Sequence, residues 1–179
     1  MEDHFGQQNK RITHELLLDL LSGTALLTQW IIVFLYWNKV PDKVPMHFNT
    51  AGAPDGYGTK YTLFLLPVIS ILLFLGFKAF RFIKFDRYHG NHPKEISLKL
   101  YALFRSYLSL TAAQTLLFFL LLLYLSIKIA AGDLNTLPNS VIVVYFGLIL
   151  LTLIIYGIVE WRMKKAFYKA NPRMKKEFF

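Results

Sequence analysis

Four uninterrupted apolar runs constrain this chain more than any other feature. They cover about Leu20–Trp37, Tyr61–Phe82, Leu103–Ile127 and Val141–Trp161. Each approaches the ~20 residues a helix needs to cross a ~30 Å hydrocarbon layer. In that layer every backbone N–H and C=O must find a partner within the protein. A helix satisfies this alone, whereas a barrel strand would alternate apolar and polar residues, which these runs do not. The fold class predicted is therefore an all-α membrane protein with four transmembrane helices.

Charge and hydropathy agree. The chain is 55% hydrophobic and 17% charged, against roughly 25% charged in soluble domains. Its 179 residues leave room for one membrane domain over residues 20–161. A segment over 1–19 precedes it and a basic tail over 162–179 follows. Cysteine is absent, which excludes disulfides, thiolate metal sites and cysteine nucleophiles. The first run follows a polar, mixed-charge segment without a small-residue cleavage site, and reads as an uncleaved anchor. The net charge of +9 does not point to nucleic acid, because the cations cluster beside the apolar runs, where they set topology and meet anionic lipid.

The distribution of those cations predicts an orientation. The link between the second and third runs carries Arg81, Lys84, Arg87, Lys94 and Lys99, the tail carries seven more from Arg162 to Lys176, and the start carries Lys10 and Arg11. The other two links hold fewer cations, offset by aspartates. The positive-inside rule puts both termini and the middle link in the cytoplasm. The expected location is a cytoplasmic membrane, multi-pass. Tyr36 and Trp37 then close the first span at the outer interface, and Trp161 closes the fourth at the inner one. Aromatic residues among the tail cations fit either a short interfacial helix or a solvated end.

The link from Pro41 to Lys60 would then face outward, and it is unlike an ordinary connector. It holds three prolines, three glycines and isolated polar groups. Pro41 and Pro45 fix their own φ and push the preceding valines toward extended geometry. Val44, Met46 and Phe48 alternate with Pro45, His47 and Asn49, the period of a strand. Pro54-Asp55-Gly56 reads as the turn that returns the chain. The expectation is a hairpin-like extracytoplasmic cap, with Lys60 at headgroup level.

The order Pro-Asp-x-Val-Pro-x-His-Phe-Asn-x-x-Gly-x-Pro-Asp-Gly-Tyr-Gly-x-Lys over residues 41–60 resembles the N-terminal membrane domain of the SdpI-like immunity protein family, a domain of unknown function. The resemblance covers the loop and the two flanking spans. It implies protection against, or sensing of, an extracytoplasmic peptide at the bacterial cytoplasmic (inner) membrane. It singles out Pro41, Asp42, Pro45, His47, Phe48, Asn49, Gly52, Asp55, Gly56, Tyr57 and Lys60 as the loop motif.

His47, Asn49 and Asp55 suit a ligand-recognition surface or bonds within the loop, His47 and Asn49 to backbone and Asp55 as a cap on the turn. A catalytic metal commonly needs three protein ligands, and His47 is the only histidine expected outside, so no metal, cofactor or catalytic residue is assigned. His89 and His92 flank a Gly-Asn pair before Pro93 and read as a turn. Thr24, Thr28 and Gln29 in the first span mark a polar face. So do Ser106, Ser109 and Ala113 in the third, and Tyr145, Thr152, Tyr156 and Glu160 in the fourth. Such stripes usually pack helices together. Lys78 and Arg105 lie near span ends, where long side chains snorkel, and Glu160 can pair with Arg162 or a cation of the middle link. No nucleophile elbow, phosphate loop or dinucleotide fingerprint occurs. The leading expectation is a non-enzymatic membrane protein whose partners are lipid and an extracytoplasmic peptide or another membrane protein. The alternatives are a small transporter or accessory subunit that uses the polar stripes, and a membrane enzyme that uses His47 and Asp55.

Overall fold

A computed structural model describes residues 2–81 and 93–172, with side chains from His14 onward. The His89–His92 turn, Lys84 and Arg87, and the tail beyond residue 172 lie outside the described residues, as do the side chains of Lys10 and Arg11. Helix α1 runs Glu2–Tyr36, and strands β1 (Lys43–Phe48) and β2 (Pro54–Thr59) follow. A 3-10 turn over Lys60–Phe64 leads into α2 (Leu65–Arg81), α3 (Lys94–Ala130) and α4 (Asn139–Ala170). Four helical segments are long and apolar enough to cross a membrane: His14–Tyr36, Lys60–Arg81, Lys94–Ala130 and Asn139–Ala170. The chain is a multi-pass membrane protein, mostly helical, with one small two-stranded sheet.

Helix α3 is the centre, and α1, α2 and α4 all pack on it. Buried positions on α1 fall at Ser22, Ala25, Gln29 and Val33, a spacing of three and four that makes one helical stripe. Half-buried residues in the middle of α4 fall at Tyr145, Ile149, Thr152 and Tyr156, again a single seam. Around that seam Val143, Phe146, Leu150 and Ile154 are exposed. A helix apolar all round with one narrow protein contact suits lipid on its other faces.

The polar stripes are packing devices. Gln29 is fully buried; its amide donates to the Leu116 carbonyl at 3.3 Å, and its amide oxygen accepts from Ser70 at 2.8 Å. That pair of bonds ties α1, α2 and α3 together at mid-span. Gln114 and Thr152 exchange hydrogen bonds at 2.9 and 3.3 Å. Tyr145 lies within 3.2 Å of the Thr115 hydroxyl and stacks on Phe118, while Tyr156 meets Tyr107 ring to ring. Thr24 and Thr28 bond instead to their own helix, at the Leu21 and Thr24 carbonyls.

At the end of the bundle away from the hairpin, charges are paired rather than extended toward headgroups. Asp19 of α1 accepts from Lys78 and Arg81 of α2. Arg81 also donates to Ser109 of α3. Arg105 pairs with Glu15 at 2.7 Å. The expectation of snorkelling for Lys78 and Arg105 is corrected here: the acidic residues of α1 lie within reach, and a partly buried cation near hydrocarbon is held better by a carboxylate than alone. Glu160 pairs with Lys164 one turn along, at 2.6 Å; among the described residues this pair forms in place of one with Arg162, and Lys84 and Arg87 of the middle link lie outside the described residues. Residues 162–170 continue α4 without a break, and Tyr168 is buried.

Helix ends follow local chemistry. Pro93 and Pro138 stand directly before α3 and α4 in extended geometry, where a missing N–H costs nothing. Helix α3 stops at Gly132, whose φ is 82°. Asp133 N–H bonds the Lys128 carbonyl at 2.9 Å and Gly132 N–H bonds Ile129 at 3.1 Å, the paired bonds of a Schellman stop.

Candidate functional site

The segment Pro41–Lys60 folds as an antiparallel hairpin across one end of the bundle. Lys43 pairs with Thr59, Val44 with Gly58, Pro45 with Tyr57, His47 with Gly56 and Phe48 with Pro54. The register slips between Pro45 and His47, so Met46 bulges out of the ladder. This breaks the strict alternation expected from the sequence. Pro45 has no N–H to donate, and a bulge is where a strand accommodates that loss. Val44 and Pro45 are both buried, whereas Met46 is exposed.

The turn also differs from expectation. Pro54-Asp55-Gly56 is the start of β2, not the turn. The chain reverses over residues 49–53. Asn49 Oδ1 accepts from the N–H groups of Ala51 and Ala53 at 2.9 and 3.0 Å, and the Asn49 backbone bonds Ala53 and Gly52. Gly52 closes the turn with φ 77°, a conformation that L side chains resist. An asparagine that bonds its own downstream backbone outcompetes the proline signal.

Two anchors hold the hairpin down. Val44 is 0% exposed and packs with Val33, Val40, Leu63, Leu123 and Ile127, at the junction of α1, the 3-10 turn and α3. At the tip, the Gly52 carbonyl accepts from Leu137 N–H at 2.8 Å, and Asn139 Nδ2 donates to the Thr50 carbonyl at 3.0 Å. A Cβ on Gly52 would run into the Leu137 carbonyl. The hairpin thus straps the α1–α2 side of the bundle to the α3–α4 link. Thr50, Leu137 and Asn139 were missed as participants. Leu137-Pro138 is an apolar island in a short polar link, and that was the available signal.

His47 and Asp55 face away from the bundle. Nδ1 of His47 lies 2.5 Å from Oδ1 of Asp55, and the side chains are 74% and 43% exposed. Neither bonds loop backbone or caps the turn, as the sequence suggested; the strands set them side by side across the pair His47↔Gly56. Gly56 permits this, since a Cβ there would sit 2.9 Å from the His47 Cβ. Tyr57 is exposed and Phe48 half-buried on the same hairpin.

At its base, Lys60 pairs with Asp42 at 3.2 Å and lies 5.2 Å from the Trp37 ring. The Lys60 N–H bonds the Asp42 carbonyl at 2.9 Å. Trp37 contacts Tyr61 and Phe64, and Trp30 and Phe34 extend the cluster, a ring set suited to the membrane interface. Lys60 is therefore held in a local pair and over an indole, rather than directed only at headgroups. Among the described residues no three His, Asp or Glu groups gather in metal-binding geometry.

A sequence-family model described as "Domain of unknown function (DUF1648)" matches residues 24–71, from mid-α1 through the hairpin into α2. An uncharacterized protein of Archaeoglobus fulgidus is 30% identical over 71 residues, covering 38% of this chain and 39% of that protein. The chain thus spans about two fifths of the relative it matches. No solved structure matches. The hairpin and the adjoining parts of α1 and α2 are thus similar to a domain whose function is unassigned.

Proposed function

We propose that this is a non-enzymatic protein of a bacterial cytoplasmic membrane that recognises or excludes a membrane-active peptide through the hairpin, conferring immunity or sensing. The observation that carries this reading is the exposed His47–Asp55 pair on a hairpin whose back is anchored by Val44. A rigid backbone with polar side chains turned outward is a recognition surface that loses little freedom on binding. The resemblance of residues 41–60 to the SdpI-like proteins supports the peptide as ligand. Excess cations in the middle link and tail support a cytoplasmic location for both termini, with the hairpin outside. In this reading residues 20–161 form the membrane domain, with short cytoplasmic segments on either side. Pro41, Asp42, Pro45 and Lys60 shape the base of the site, Asn49 and Gly52 its turn, and His47, Phe48, Asp55, Gly56 and Tyr57 its face.

A transport path along the polar stripes has less support, because Gln29, Ser70, Gln114, Thr115 and Thr152 are engaged in contacts between helices or with their own helix. The test is survival of cells with and without the gene against a panel of membrane-active peptides. Protection by the wild-type chain is expected, with its loss on His47→Ala or Asp55→Ala at equal protein level. Equal survival with and without the gene across the panel contradicts the proposal.

A further inference from the structure

Beneath the hairpin lies a half-open cavity of about 390 Å³. Its floor is α3, at Phe118, Leu122 and Ser126, and its roof is the hairpin from Pro45 to Phe48. The walls are the start of α2 and the start of α4, which both lean on α3. The volume falls inside the range of about 300–1,000 Å³ typical of small-molecule pockets.

Two features identify the occupant. The first is where the cavity opens. Leu65 of α2 is 50% exposed and Phe146 of α4 is 63% exposed, and both line it. These are apolar residues on spanning helices, so on this side the cavity borders hydrocarbon rather than water. The second is the gradient of polarity. The floor and walls are mainly leucine, isoleucine and phenylalanine, while Thr62 lines the end next to the hairpin, the strap that closes the bundle end and carries its charged pair on the outward face. A ligand with an apolar chain below and a polar head at hairpin level matches both. Lipid reaches such a site by lateral diffusion, whereas a water-borne apolar group would have to pass the strap.

We infer that this cavity is a binding site for one acyl chain of a membrane phospholipid, with its headgroup level with the hairpin. The site is independent of what the hairpin's outward face recognises, and of which way the protein points in the membrane. It gives the roof residue Met46 a role that the hairpin ladder does not, since Met46 bulges from the ladder and lines the cavity. Hydrocarbon in the site would brace the strap from below.

The test uses the full chain purified in detergent with a trace of phosphatidylcholine carrying a mid-chain photoreactive diazirine. Labelled positions are mapped by mass spectrometry. Label is expected on the cavity residues Phe118 and Ser126, in excess of that on the exposed α4 residues Leu150 and Ile154. Unlabelled phosphatidylcholine is expected to displace it. Ser126→Phe, which fills the floor, is expected to abolish cavity labelling while α4 labelling stays. Leu122→Trp is the second filling variant, used if Ser126→Phe lowers the melting temperature. Uniform labelling with no excess at Phe118 and Ser126 overturns the inference. So does retention of cavity label in a folded filling variant. Displacement by an apolar peptide but not by phosphatidylcholine also overturns it, and would assign the cavity to the peptide. Loss of peptide protection with lipid labelling intact would sink the functional proposal alone.

Discussion

His47 and Val44 lie three residues apart on one strand and carry separable roles. His47 is exposed and touches Asp55, so His47→Ala is expected to change stability by no more than about 0.5 kcal/mol, as for surface sites generally. Val44 is fully buried among helix residues. Val44→Asp would place a carboxylate in that cluster without a partner, and is expected to prevent folding. Size-exclusion profiles and melting curves in detergent distinguish the two: a misfolded His47→Ala would make the His47–Asp55 pair structural. Gly52→Ala forces a left-handed residue against the Leu137 carbonyl. The backbone term alone is about 1–2 kcal/mol, so a clearly lowered melting temperature is expected. Asn49 and Gly52 also show what was readable. Their spacing is a turn signal in its own right, yet Pro54-Asp55-Gly56 is the stronger local pattern. Local preference cannot reveal that the Gly52 carbonyl has a partner at Leu137, eighty-five residues on.

The helices themselves were legible because the bilayer leaves a long apolar run few alternatives. Their partners were not. Periodicity finds the face that Gln29 or Thr152 occupies, and the packing role of that face, but not Ser70 or Gln114 opposite it. The link through Gln29, Ser70 and Leu116 yields a direct prediction. A double-mutant cycle of Gln29→Leu and Ser70→Ala should give a coupling of about 0.6–1.7 kcal/mol, the range for membrane hydrogen bonds. Zero coupling would show that the bond contributes nothing. The ion cluster around Asp19 is a stronger connection, since Lys78 and Arg81 of α2 both converge on it. Asp19→Asn leaves two cations short of a charge partner beside the hydrocarbon, and is expected to cost about 3 kcal/mol. Because the side chains are mostly buried, the loss should change little between low and high salt. A loss that vanishes in high salt would show the cluster to be a solvated surface pair.

For the whole molecule, the hairpin is a strap joining the two halves of the bundle, with a polar pair on its face and a cavity below. The proposed function requires that this face look out of the cell. The absence of cysteine makes the test clean. Thr50 lies at the exposed hairpin tip and Lys165 on an exposed position of the last turns of α4. Single cysteines are placed at each, and intact cells are treated with a membrane-impermeant maleimide. Labelling of Thr50→Cys is expected in intact cells, and of Lys165→Cys only after the membrane is opened. Labelling of Lys165→Cys in intact cells, with Thr50→Cys protected until lysis, would contradict it.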